Sequence, residues 1–378
     1  MARTLRVLLG DVDAAVLHAV EGTVTLRLNP GYLKLAQRPV LGQWFEDRLS
    51  PDPMVSQGLP SWFENLLPEG ALRGLLSRRH GRQGADSFEL VSVLGADDLP
   101  GNVRVVGDAA GSTAEGFNYS LPGDQLRFSV VKVEGGWTAA PKGTPGDWII
   151  TPPDSRSPGW AENAHAMTQW ARLSGLRVVE TALTPSAQGM TLAEKRIDRG
   201  PDGKRIHTED VAQVFGLHPN EKFTRMNQDS ILRLAVCLTS EAEALEVLNR
   251  MVFNAVIANA DAHAKHWSLV YEQPQRATMA PAANLVSSLD DLGMTQSALA
   301  FGGRKDWAAL DAASVEKVAR RAGLKETRAA QSVRVFLDAV VAAWTQHSAQ
   351  WTLSPGLRGK LEEHWRTVPL LRAHRDGL

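Results

Sequence analysis

A single cysteine stands in 378 residues, and that scarcity removes two kinds of chemistry at once. Cys237 has no second thiol for an intrachain disulfide, and no cysteine-based zinc site can be assembled from it. Its apolar setting reads as that of a small buried hydrophobe. Net charge is missing too: 41 basic residues face 42 acidic ones, leaving −1. A chain so balanced has no global pull toward nucleic acid or membrane, which leaves only local basic patches for such contacts. Nowhere do about 18 uninterrupted apolar residues occur, so no membrane-spanning helix is expected. Asp11 and Asp13 interrupt the opening apolar run before it reaches the core of a signal peptide, and the expected location is the cytoplasm. Internal repeats are absent, as is any segment resembling a helix-turn-helix reader of DNA.

What is present is ordinary for a globular protein: 43% hydrophobic and 22% charged residues, in a chain long enough for two or three packed units. Alternation over residues 3–29 predicts two strands joined by a turn at Glu21-Gly22. A helix is expected over 62–79, with short segments at 87–94 and 102–106. These make a first subdomain of 1–106, and the Gly-, Ala- and Ser-rich stretch 107–118 reads as a linker. A small β-rich lobe is expected over 119–200, with strands at 125–134 and 148–151, a glycine turn at Gly135-Gly136 and a helix over 161–173. From about Thr208 the pattern turns helical, so 201–378 is expected to be a helical lobe. Ser240 with Glu243 forms a capping box there. Residues 259–306 read as loop, followed by helices over 312–323, 326–348 and 356–372.

The segment richest in chemistry is Asn259-Ala-Asp261-Ala-His263-Ala-Lys265-His266-Trp267-Ser268. Asp, His and Lys alternate at a helix terminus, a costly set to bury without partners. Read alone, the pattern fits three structures: a metal site, a kinase catalytic loop, or a solvated polar loop. In a kinase loop an aspartate accepts the substrate's hydroxyl proton, and a residue five positions on holds magnesium.

Neighbouring segments narrow the choice. Phe63-Glu-Asn-Leu-Leu-Pro-Glu-Gly70 and Phe88-Glu-Leu-Val-Ser-Val-Leu-Gly95 resemble the N-terminal subdomain of the HipA-like toxin kinases. Arg205–Leu217 resembles their mid-chain helix start, Asn259-x-Asp261-x-His263-x-Lys265 their catalytic loop, and Leu299–Gly303 their later glycine turn. The matches are collinear from about residue 60 to 305. The resemblance implies an α+β chain with the bilobal protein-kinase-like fold, an N-terminal α/β subdomain and a helical C-terminal lobe. It implies a serine/threonine kinase that uses ATP and magnesium on a translation-related protein such as an aminoacyl-tRNA synthetase. It also implies a small DNA-binding antitoxin of the HipB type as partner, with DNA reached only through that antitoxin and no membrane association.

Position by position, the resemblance places Asp261 as the catalytic base, with His263 and Lys265 beside it on the loop. The nucleotide-binding positions fall on Ser120, Gly123, Gln125 and Thr151, and the metal positions on His266 and Asn284. Several depart from the family's pattern. His266 replaces an asparagine and Asn284 an aspartate; Thr151 stands where lysine is expected, and Ala164 where its glutamate partner belongs. Pro122 removes a backbone N–H from the phosphate loop, and Asp124 adds negative charge. Lysine and glutamate are lost together, which leaves no uncompensated charge. Two readings follow: a pseudokinase or very weak kinase that acts by binding protein, or a divergent active kinase with Asp261 as base. A third is a DNA-associated regulator that works only through a partner repressor. Lys132 is a candidate substitute for the missing lysine, and Asp290 and Asp291 are either displaced metal ligands or a solvated pair.

Overall fold

A computed structural model describes residues 3–376 apart from 80, 82–83, 97, 108–122, 124, 135, 141–145, 155–156, 201 and 291–295. Ser120, Pro122, Asp124, Asp291 and all but the first residue of the expected linker lie outside the described residues. The chain forms two compact units, each gathered from three stretches of sequence. The first comprises 1–151, 195–221 and 268–277; the second comprises 152–194, 222–267 and 278–378.

The first unit opens on an antiparallel sheet in the order Met54–Gln57, Thr23–Leu28, Val12–Val20, Arg3–Leu9, Val103–Gly107. Alternation puts Leu5, Val7, Leu9, Leu26 and Leu28 on one buried face, packed with Phe45, Trp62, Phe63 and Phe88. Residues 3–29 thus hold three strands rather than two. The alternation runs on past Gly10, whose φ of 60° reverses the chain between the first pair. At the expected second turn, Glu21 and Gly22 both adopt left-handed backbone, at φ 49° and 83°, matching the twist of a two-residue hairpin. The helix expected over 62–79 is two helices, Ser61–Glu64 and Gly70–Arg79, because Pro68 lies between them. Phe128–Val133 pairs antiparallel with both Gly136–Ala139 and Trp148–Thr151.

Two buried polar networks hold this unit together. In one, Arg196 bonds Asp98 at 2.6 Å and Asp198 at 2.8 Å, while Arg199 bonds the same two carboxylates. Gly101 N–H also donates to Asp198 Oδ2 at 2.8 Å. Burial would raise the Asp198 carboxyl, but the Arg196 and Arg199 charges outweigh it and hold it far below the usual range. In the other, the buried Glu209 accepts from Tyr271 Oη at 2.5 Å, Gln43 N at 2.9 Å and Trp62 Nε1 at 3.2 Å. Burial pushes its carboxyl up to about 7 despite those donors. His207, stacked between Trp62 and Tyr271, is pushed down to about 4 by burial. Both belong to the strand His207–Asp210, which pairs with Ser268–Gln273 in stretches expected to be helix and loop.

The second unit is mainly helical. Trp160–Leu173 carries Trp170, which packs against Trp344, Phe253, Trp365 and Trp351 with ring centroids 4.7–5.9 Å apart. The long helix Glu241–Val256 begins at Ser240, whose side chain accepts from Glu243 N. Its end is pinned: His364 Nε2 lies 2.7 Å from Ala255 O, and Trp365 Nε1 donates to Val256 O at 2.8 Å. Those carbonyls have no partner within the helix, so the pins fix where the next residues start. Ala312–Ala322 and Glu326–His347 lie as expected, but 356–372 splits at Pro369 into Leu357–Thr367 and Pro369–Asp376. The stretch read as loop also holds a hairpin, Gln296–Phe301 with Arg304–Asp306, reversing at Gly302-Gly303. Cys237 is exposed rather than buried: its helix, Gln228–Leu238, turns Ile231, Leu232, Leu234 and Ala235 inward instead.

Candidate functional site around Asp261

The chain leaves the helix Glu241–Val256 through Ala258, a non-glycine residue at φ 49°. Such backbone costs energy that the surroundings must supply, and here a set of asparagines supplies it. Asn259, almost wholly buried, donates from Nδ2 to Asn254 Oδ1 at 3.0 Å and to Asn284 O at 3.1 Å. Its Oδ1 accepts from Asp261 N at 3.1 Å. Ser288 closes the other side: its hydroxyl accepts from Ala260 N at 3.1 Å, and its N–H donates to Ala258 O at 3.2 Å. Asn163 then grips the same segment twice, donating to Ser287 O at 2.8 Å and accepting from Ser287 N at 3.0 Å. The loop and the segment 284–288 are therefore one hydrogen-bonded assembly, with Asn284 itself in left-handed backbone at φ 55°.

On that frame a short 3-10 turn, Ala264–His266, folds back on Asp261. Asp261 O accepts from His263 N at 2.7 Å, and His263 O from His266 N at 3.0 Å. Asp261, His263 and His266 each offer one ligand atom, and these atoms all lie within 4.8 Å of one another. Asp261 Oδ2 and His266 Nε2 are 4.0 Å apart. The rings of His263 and His266 have centroids 3.9 Å apart, and His263 also meets Phe223 edge-on at 4.8 Å. His263 is buried and His266 nearly so, whereas the Asp261 side chain is 45% exposed. The carboxylate thus faces solvent from a loop whose backbone is held on both sides. A cavity of about 10 Å³ lies beside the loop, bordered by Asn254, Asn259, His266 and Asn284 among others.

Of the residues singled out from sequence, Asp261, His263 and His266 converge, and Lys265 shares their turn. Asn284 joins through its carbonyl on Asn259. Gly123, Gln125 and Thr151 belong to the first unit. Gly123 has φ 104° and accepts from Glu69 N at 2.9 Å; Gln125 is exposed and accepts from Arg127 at 3.3 Å. Thr151 is buried, and its hydroxyl has no hydrogen-bond partner among the described residues. Lys132 lies over the rings of Trp137 and Trp148, 5.7 Å from each centroid. Lys195, which the sequence gave no reason to single out, lies 6.0 Å over Trp148. Asp290 is paired rather than simply solvated. It accepts from Lys360 at 2.8 Å and Ser354 at 2.6 Å; burial would raise its carboxyl, and these bonds hold it below the usual range. The asparagines 163, 254 and 259 and Ser288 are the residues that sequence reasoning undervalued. Their only signal was the density of amides near a helix terminus.

Comparison with known proteins is concordant along the whole chain. Residues 5–106 match the HipA N-terminal domain family, and residues 119–344 match the HipA-like C-terminal domain family. A Sinorhizobium fredii protein named as a candidate kinase, Y4dM, is 32% identical over 97% of both chains. A second from the same organism, Y4mE, is 27% identical over 72% of this chain and 75% of its own. Among solved structures, a chain of the Shewanella oneidensis MR-1 toxin–antitoxin complex of HipA, HipB and operator DNA superposes with a TM-score of 0.79. It covers 98% of this chain and 99% of that one at 18% identity, a likeness of fold. No helix among the described residues is long and apolar enough to cross a membrane.

Proposed function

The chain belongs to the HipA-like family of toxin–antitoxin kinases and has its kinase-like fold, and from that premise we propose that it acts as a pseudokinase or very weak kinase, by binding protein. The observation that carries this reading is the donor set around Asp261. Magnesium takes hard oxygen ligands in near-octahedral geometry. Here the carboxylate is joined by two imidazoles, and Asn284 offers a neutral amide where the family pattern has a carboxylate. The residues do not fit a magnesium–triphosphate, so no catalytic step is drawn through one. Phosphoryl transfer depends on positioning and on charge neutralisation, and each such element removed costs on the order of 10² to 10³ in rate.

The partner proposed is a small antitoxin of the HipB type; the similar fold of a chain solved with HipB and operator DNA supports it, and DNA is reached through that partner. The proposed division of the chain follows the sequence reading, with 1–106 as N-terminal subdomain, 119–200 as small lobe and 201–378 as helical lobe. A second reading has one observation in its favour: Asp261 is retained and its carboxylate is open to solvent on a fixed loop. This is the position and access that a base in a divergent kinase needs.

Calorimetric titration of the full chain with ATP and magnesium separates the two. The first reading expects no magnesium-dependent binding below millimolar ATP. Micromolar, magnesium-dependent binding, together with autophosphorylation that Asp261→Asn abolishes, would establish the second.

A further inference from the structure

The same departures that disfavour magnesium assemble something else. We propose that Asp261, His263 and His266 form a binding site for a first-row transition-metal ion of the zinc type, selected over magnesium. Metals of this kind are bound by imidazole and carboxylate at about 2.0–2.2 Å, so donors around a tetrahedral ion sit about 3.4 Å apart. Asp261 Oδ2 and His266 Nε2 are already 4.0 Å apart. The ligand atoms of the trio all lie within 4.8 Å of one another, a gap of the size that side-chain rotation can close with the loop backbone in place. That backbone is fixed by the bonds of Asn259 and Ser288, so the donors are positioned before the ion arrives.

Donor chemistry sets the selectivity. Imidazole suits zinc, copper, iron and nickel, whereas magnesium prefers carboxylate, carbonyl and water. Replacing the family's amide by His266 therefore changes which ion the loop prefers, in addition to weakening its original one. One carboxylate and two neutral imidazoles leave a divalent ion with a net positive charge and a fourth position open. Three protein ligands with an open position is the arrangement of zinc sites that bind an exchangeable water or anion. The partly exposed Asp261 side chain gives an entry path.

This inference concerns the same loop as the proposed binding function, but the two fail separately, since metal uptake is measured without nucleotide or partner. The full-length chain, stripped with a chelator and dialysed, is titrated in parallel with zinc chloride and magnesium chloride. One zinc per chain is expected, bound at least 100-fold more tightly than magnesium. His266→Asn and His263→Ala should each weaken zinc at least 10-fold, with melting temperature as the check on folding. Zinc no tighter than magnesium, or zinc affinity unchanged in both variants, overturns the proposal. Should either variant fail to fold, zinc-edge X-ray absorption on the unaltered chain decides. Imidazole with oxygen scattering upholds the site, whereas an all-oxygen shell, or sulfur from the exposed Cys237, overturns it.

Discussion

The buried charges of the first unit and the polar loop of the second solve opposite problems. Asp98, Asp198, Arg196 and Arg199 form a closed square in which each carboxylate meets both guanidinium groups, and every one of the four side chains is at most 8% exposed. Around Asp261 the bonds run instead through backbone and amides, and the carboxylate is left facing outward. A charge that serves the fold is surrounded by partners, because an unmatched buried charge costs several kcal/mol. A charge that serves a ligand is held in place by its backbone and left accessible. The difference distinguishes a structural acid from a candidate site acid in this chain.

Breaking the closed square should produce the largest effect. Asp198→Ala leaves Arg196 and Arg199 sharing Asp98 alone, with one buried positive charge unmatched, and should cost roughly 3–5 kcal/mol in chemical denaturation. A value near that of a surface substitution would remove the contrast between the two regions.

The Glu209 network comes next, and its signature is in pH. Glu209 is raised from 4.5 to about 7, so the stability it contributes is present below pH 4.5 and lost as pH rises through 7. His207 is lowered from 6.5 to about 4, so its contribution is present above pH 6.5 and lost as pH falls through 4. Between 4.5 and 6.5 these two slopes oppose and nearly cancel, leaving the native chain with the slopes of His165 and His364, which burial also lowers. Glu209→Gln removes one slope. Between pH 6.5 and 4 the variant should lose on the order of 3 kcal/mol more than the native chain does, measured by denaturant titration across pH.

Asn163→Ala should cost less, about 2 kcal/mol for two buried hydrogen bonds, with faster amide hydrogen exchange concentrated at 284–288 and at the Asp261 loop. Exchange that rises evenly over the second unit would mean that Asn163 does not hold the loop specifically. Asp261→Asn should have the smallest effect, within about 0.5 kcal/mol, because its side chain is half open and its backbone bonds survive.

Much of this was legible in the sequence, and the boundary is physical. Local signals carried well: the Glu21-Gly22 turn, the cap at Ser240 and the strand Trp148–Thr151 all lie where propensity and patterning put them. Proline breaks at Pro68 and Pro369 were missed because the apolar periodicity runs across them. The strand His207–Asp210 was missed because its partner, Ser268–Gln273, lies some 60 residues away and no local pattern announces the pairing. At the site, the resemblance singled out Asp261, His263 and His266 within one loop, and the structure brings their side chains together. The grip of Asn163 on Ser287, 124 residues apart, is a long-range contact that only the fold creates. The burial of Cys237 was misread for a related reason: an apolar helix still has an outer face.

Incubation of the full chain with γ-labelled ATP and magnesium, with and without an antitoxin of the proposed HipB type, shows whether the Asp261 loop transfers phosphate. The expected result is a stable complex with that antitoxin and no label on either protein. Stoichiometric label that disappears in Asp261→Asn would contradict it.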